Sequence, residues 1–310
     1  MRYIRSIIAA AALLTAFTAA AFCQTALPES PAEPDSQIDT RWRPWHRWPL
    51  PRPGHHAVFF PPGDIFAPPL ADIKQPRFHA SWQHYHTDFG RFRVGFTSFG
   101  ENIGLIRWPG TREGEGAQLG ISGAVFAIFN LDSASHDLLN ADYVIGFPLS
   151  MRSGRWSARA RLFHQSSHLG DEFILTSQPI AVERINLSYE MLETLVSWDC
   201  KEYRIYGGPS RILSTVTPLD RQRVQLGAEY RGARVSPLRG RPIAGLEWSA
   251  WEENAWSGNL ALKAGLLFVS PYDEARAFRL FAEYYTGRLP HGQFYKLRAQ
   301  YWGFGFAFSL

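Results

Sequence analysis

From Arg77 onward, apolar and polar residues alternate with a period of two in runs of about ten residues. Such alternation describes a strand with one wet and one greasy side, and about ten residues is what a tilted strand needs to cross a membrane. The pattern predicts strands at 77–87, 91–99, 117–129, 139–150, 155–164, 184–193, 202–212, 221–231, 242–252, 257–269, 276–287 and 293–308. In 221–231, Arg221, Arg223, Gln225, Glu229 and Arg231 oppose Val224, Leu226, Ala228 and Tyr230; in 276–287, Arg279 and Glu283 oppose Phe278, Leu280, Ala282 and Tyr284. A soluble sandwich rarely sets Arg and Glu ladders against an aromatic-rich face, whereas opposite charges in a closed lumen pair across strands. The expected fold is all-β, an antiparallel transmembrane β-barrel of about twelve strands, with an even strand number as closed bacterial barrels have.

Upstream, the pattern changes twice. Arg2 and Arg5 precede an apolar run from Ile7 to Phe22 with small residues at Ala19, Ala20 and Ala21. That run is too short to span a bilayer and has no stop-transfer pattern after it, so residues 1–23 read as a cleaved secretory signal. Export then places the protein in the outer membrane of a Gram-negative cell. Phe22 argues against lipidation at Cys23, and the cleavage point decides whether Cys23 pairs with Cys200 or leaves it a lone buried thiol. Residues 24–75 form a Pro/Trp-rich N-terminal extension, and 76–310 the barrel. Prolines deny regular ladders to RWRPWHRWPLPRPGHH (Arg41 to His56), leaving either a tether or a segment whose Trp42, Trp45 and Trp48 rest at a membrane surface or barrel mouth. FFPPGDIFAPPLAD (Phe59 to Asp72) is a turn-rich bridge whose phenylalanines are expected to pack as a plug or cap.

Composition adjusts this picture modestly. The net charge of +4 and pI near 9.1 come from dispersed arginines without a compact basic run, so no nucleic-acid partner is expected. Trp82, Trp108, Trp156, Trp248 and Trp302 suit interfacial girdles. Gly305, Phe308 and Leu310 resemble the C-terminal assembly signal of outer-membrane barrels, although that signal ends most often in Phe and Gly303 stands at a usually polar position. The resemblance implies the barrel-assembly machinery as a partner in biogenesis.

Candidate chemistry lies in RWSARARLFHQSSH, Arg155 to His168. Arg155, Ser157, Arg159 and Arg161 oppose Trp156, Ala158, Ala160 and Leu162, and the greasy face continues into His164, Ser166 and His168. With both barrel ends periplasmic, 151–154 becomes a short periplasmic turn and 165–183 a long extracellular loop, so His164 and Ser166 fall near the outer leaflet on the lipid-facing side. A polar pair at that depth is costly unless partnered. His164, His168, Asp171 and Glu172 also allow a metal site, with imidazoles suiting zinc and carboxylates suiting calcium, although the spacing is no recognised closed zinc pattern. The bland reading makes Ser166, Ser167, His168 and Asp171 a hydrogen-bonded loop closing the barrel mouth. Gln293 and Tyr295 read as turn and girdle residues, and Arg204 and Arg223 as lumen charge ladders that would select anionic solutes in an open pore.

FHQSSHLGDEF (Phe163 to Phe173), RINLSYE (Arg184 to Glu190), RIYGG (Arg204 to Gly208) and GQFY (Gly292 to Tyr295), with FPPGDIFAPPLAD upstream, resemble the uncharacterised bacterial family catalogued as domain of unknown function 1207. That resemblance covers most of the mature chain and implies an exported barrel without an established activity. The His-x-Ser is similar, in addition, to that of outer-membrane phospholipase A and the lipid A deacylase barrels. By that likeness His164 is the base and Ser166 the nucleophile, with Asp171, Glu172 or Glu183 orienting the imidazole; Asn186 is expected to point inward, opposite Ile185, Leu187 and Tyr189. The Asn-Gly that often follows is Ser167-His168 here, which leaves the oxyanion donor unassigned. Two classes result: a noncatalytic barrel serving as channel, scaffold or surface protein, and a lipid acyl-ester hydrolase whose partners are outer-membrane lipids.

Overall fold

A computed structural model describes residues 56–112, 114–176, 185–270 and 276–309. Its strands are β1 (Val58–Phe59), β2 (Phe78–Thr87), β3 (Gly90–Pro109), β4 (Gly116–Asn130), β5 (Leu138–Ser153), β6 (Trp156–Leu169), β7 (Ser188–Cys200), β8 (Tyr203–Thr215), β9 (Gln222–Arg231), β10 (Arg241–Trp251), β11 (Gly258–Val269), β12 (Ala277–Arg288) and β13 (Arg298–Ser309). One short helix, α1 (Asp171–Thr176), follows β6. From β2 to β13 each strand pairs antiparallel with its neighbour in sequence, and β13 returns to β2 through ten registered pairs from Ala299↔Thr87 to Phe308↔Phe78. The result is a closed twelve-stranded antiparallel barrel with one extra strand, β1, paired to β3 at Val58↔Arg107 and Phe59↔Ile106. Closure pairs β13 with β2, and where β3 outruns β2, β1 covers part of its edge.

All twelve expected strands are present, with shifted ends. β3 has twenty residues rather than nine, because Gly100, Glu101 and Asn102 interrupt the alternation without interrupting the ladder to β4. The expected turn 151–154 shrinks to Gly154 and Arg155, with Gly154 at φ +55, a left-handed conformation that suits glycine. β6 continues to Leu169, so the start of the expected long loop is strand. The last strand begins at Arg298, and Gly292–Phe294 is a 3-10 turn instead. The signal, the Trp-rich run and Cys23 lie outside the described residues; Cys200, at the end of β7, is buried and is not a free thiol.

The end of the barrel where β2 enters and β13 leaves is called the near end. The β2–β3, β6–β7 and β12–β13 connections lie at the far end. Outward positions carry an apolar belt, including Phe147, Leu149, Leu162, Val196, Leu226, Leu280, Phe304 and Phe306, all exposed. Trp108 and Trp156 flank it at the near end, where amphipathic rings favour a lipid headgroup layer.

The lumen is packed with protein. Phe66 is 1% exposed and lies between the guanidinium groups of Arg159 and Arg204, at 5.0 and 4.5 Å from its ring. The plug expected from the phenylalanines is thus made by Phe66, with Ile65, Leu70 and Ile73, while Phe59 and Phe60 stay exposed. The plug's backbone is held by the wall: Arg204 Nη1 donates to Ala67 O at 2.6 Å, and the Leu70 amide donates to Glu229. Arg159 Nη1 donates to Gln75 Oε1 at 3.0 Å, and Lys74 pairs with Asp142. Such buried charges are tolerable because each is met by an opposite charge or a carbonyl.

Toward the far end the inward residues become apolar. Tyr85, Phe96, Phe126, Leu187, Tyr189, Met191, Tyr285 and Tyr301 form one buried cluster. The 3-10 turn covers it. The Gly292 amide donates to Asp142 Oδ2 at 3.0 Å, and Gln293 Nε2 donates to the carbonyls of Ile185 at 2.8 Å and Ser167 at 3.1 Å. A Cβ on Gly292 would stand 1.8 Å from Ser167 Oγ, so only glycine allows this approach. Gln293 is therefore a turn residue as expected. Tyr295 is not a girdle residue: it is buried in the mouth, 5.5 Å from the Trp251 ring and donating to Glu253 Oε1 at 3.2 Å. Arg204 is a lumen residue as expected, 1% exposed and paired with Glu229 Oε2 at 3.4 Å.

Candidate functional site

The strand period puts His164, Ser166 and His168 on the outer face of β6, because Phe163, Gln165 and Ser167 between them are buried inside. Below them on the same face are Leu162 and Trp156, 45% and 58% exposed, so the apolar stripe does end in these polar residues. His164 is registered directly opposite Glu190 of β7, and its Nδ1 lies 3.0 Å from Glu190 Oε1. Both side chains are nearly half exposed, at 41% and 46%, and face outward from the barrel. Two pairs further toward the far end, Ser166 faces Ser188 on β7 and Tyr143 on β5. His168 packs edge-on against Tyr143 at 5.7 Å.

A carboxylate only accepts, so Nδ1 is the protonated nitrogen whenever the imidazole is neutral, and Nε2 is left with its lone pair. An imidazole met by a carboxylate, with a hydroxyl two residues along the same face, has the residue types that serine acyl transfer uses. His164 and Ser166 are about 7 Å apart along the strand by standard rise.

The carboxylate that meets His164, Glu190, is none of those expected to do so. Asp171 and Glu172 are exposed at the start of α1, and His164 is separated from the end of β6 by about 17 Å of strand. Glu183 lies outside the described residues. Nor do His168, Asp171 and Glu172 form the expected metal group: among the described residues no three His, Cys, Asp or Glu side chains gather as ligands for an ion.

Glu190 lies on the face of β7 opposite to the one the expected inward Asn186 implies. The expected inward Asn186 is exposed, while Leu187, Tyr189 and Met191 are the inward residues. The rule of polar inside and apolar outside fails here because the far half of the lumen is an apolar core. Glu193 carries the missing signal. It is 3% exposed and accepts from Arg159 Nη2 at 2.8 Å and Arg161 Nη2 at 2.9 Å. Counting back from it in twos puts 191, 189 and 187 inside and Glu190 outside.

The solved structures that the barrel is similar to are barrels of the same general kind. Outer membrane phospholipase A from Escherichia coli is 13% identical, covers 76% of this chain and 92% of its own, and has a TM-score of 0.46. The β domain of the Bordetella autotransporter Brka is 13% identical over 76% and 98%, with a TM-score of 0.35. A mutant Rh. blastica porin is 8% identical over 74% and 98%, with a TM-score of 0.29. These likenesses concern barrel architecture and carry no residue over. No curated protein sequence matches the chain. The model of the family described as "Protein of unknown function (DUF1207)" matches residues 55–310, and the chain belongs to that family.

Proposed function

We propose that this protein is an outer-membrane hydrolase of lipid acyl esters, with Ser166 as nucleophile, His164 as general base and Glu190 orienting the imidazole. The observation that carries the reading is the 3.0 Å contact between His164 Nδ1 and Glu190 Oε1 on the outer wall, at the end of an apolar stripe and beside Ser166. A soluble substrate gains nothing from a site facing outward above a lipid belt; a lipid ester is delivered to it by the membrane itself.

In this reaction Ser166 Oγ attacks the ester carbonyl while His164 Nε2 takes its proton. The tetrahedral intermediate collapses to an acyl-serine, and His164 returns the proton to the departing alcohol. Water, deprotonated by the same nitrogen, then releases the fatty acid and restores Ser166. Glu190 stabilises the imidazolium formed in both halves of the cycle.

The test is release of fatty acid from mixed phospholipid and lipopolysaccharide micelles by the refolded barrel, with and without calcium. Wild type is expected to release fatty acid, and Ser166→Ala to lose at least about a thousandfold in rate while keeping the heat-modifiable gel mobility of a folded barrel. Release that persists in Ser166→Ala, or its absence from correctly folded wild type, overturns the proposal. The second outcome would favour a sealed, noncatalytic scaffold, a reading supported by the packed lumen and the covered far mouth.

A further inference from the structure

Inside the barrel, apart from the outer-wall site, a cavity of about 100 Å³ lies between the plug and the far mouth. Arg288 and Leu289 line it at the end of β12, and Asn254 at the β10–β11 connection, so it reaches the far end rather than the near one. Four cations stand in its wall, Lys74, Arg161, Arg223 and Arg288.

Three carboxylates share that wall, Asp72, Glu193 and Glu247; Asp72 accepts from the Lys74 amide at 2.8 Å and acts electrostatically on Arg161 and Arg223. Glu193 is shared by Arg159 and Arg161, and Glu247 accepts from Gln225 Nε2 at 2.7 Å and Tyr206 Oη at 2.9 Å. Arg161 is the telling residue. It is 3% exposed and spends Nη2 on Glu193, yet its Nε and Nη1 are buried without a protein acceptor. A buried guanidinium donor left unmet costs several times what a surface one does, and the group that meets it best is an anionic oxygen.

We propose that this cavity is a binding site for a small oxyanion-bearing solute, a phosphate or a short carboxylate, held by Arg161 and Arg223. The size sets the class: an engineered apolar cavity of about 150 Å³ holds benzene, so a smaller one excludes sugars and acyl chains. The chemistry sets the charge, since Arg161 offers donors only. Such a site makes the barrel a receptor for a small anion, independent of ester hydrolysis at the outer wall.

Trp251 lines the cavity and supplies the readout. The full chain, folded in detergent, is titrated with sodium phosphate and with sodium acetate, against sodium chloride at equal ionic strength, while tryptophan emission is followed. A saturable change with phosphate or acetate, absent with chloride and absent in Trp251→Phe, is expected. Whichever anion produces it identifies the class. Arg223→Gln is expected to weaken the midpoint at least tenfold, and Arg161→Gln likewise. Because Arg161→Gln also disturbs Glu193, gel mobility reports whether that variant folds, and Arg223→Gln decides alone if it does not. Ser166→Ala should bind as wild type does, which separates this site from the outer one. No saturable change with either anion, a change matched by chloride, or an Arg223→Gln midpoint equal to wild type overturns the proposal.

Discussion

The same two strands, β6 and β7, carry two cation–carboxylate pairs in direct register, one on each side of the wall. Inside, Arg161 faces Glu193; outside, His164 faces Glu190. The inner pair is 4% exposed on both side chains, and Glu193 has a second arginine upon it. The outer pair is ten times more open and has an imidazole in place of a guanidinium. A guanidinium stays charged and never gives up its proton, which suits a permanent brace. An imidazole changes protonation near neutrality, which suits proton transfer. The wall thus separates a buried pair with a permanent cation from an open pair whose cation is an imidazole.

Breaking the inner pair should have the largest effect. Glu193→Ala leaves Arg159 and Arg161 without their shared carboxylate, and the barrel is expected to lose about 3–5 kcal/mol, read from its urea unfolding midpoint. The outer pair should behave in the opposite way. Glu190→Gln is expected to cut fatty-acid release about a hundredfold while leaving the unfolding midpoint in place, since the pair is half exposed. A shift in the midpoint without a loss of rate would reduce Glu190 to a brace like Glu193.

Acid offers a third way to separate the sides. His291, in the far-end connection, is buried, and burial pushes its pKa down to about 3. The folded protein holds it neutral, while an unfolded chain protonates it near its ordinary value. Its contribution to stability is therefore complete above about pH 6.5 and falls as the pH drops toward 3. At pH 5 the loss is about 2 kcal/mol, and a His291→Leu variant should show a flatter stability profile between pH 7 and 5. The smallest effect is expected from Gly292→Ala, about 1–2 kcal/mol, because the far-mouth turn must back away from Ser167 and Asp142. Faster proteolysis near residue 292 would report it.

Alternation alone made the barrel legible, since Arg223, Gln225 and Glu229 against Leu226 and Ala228 state the two faces without help from structure. It made His164 and Ser166 legible too, through Trp156 and Leu162 below them on the same face. It failed where the environment of a face changed along the barrel. Leu187 and Tyr189 look like lipid-facing residues, but they pack against the mouth-closing turn and its neighbours, which lie about a hundred residues later in sequence. The parity that turns Asn186 inward turns Glu190 inward with it. Gly292 and Gln293 could not be read as a lid for the same reason: their partners Asp142, Ser167 and Ile185 come from other strands and loops.

The plug described above precedes β2 in the chain, and β2 makes its last lateral pairing with β13, the final strand. The order of synthesis therefore runs opposite to the order of enclosure: the segment made before every wall strand from β2 to β13 is shut in only when the last of them is zipped to β2. With the far mouth covered by the Gly292–Phe294 turn, that segment cannot be threaded in afterwards by that route. An assembly catalyst that released the barrel before the plug was seated would release a different product, a ring with water where Phe66 should be.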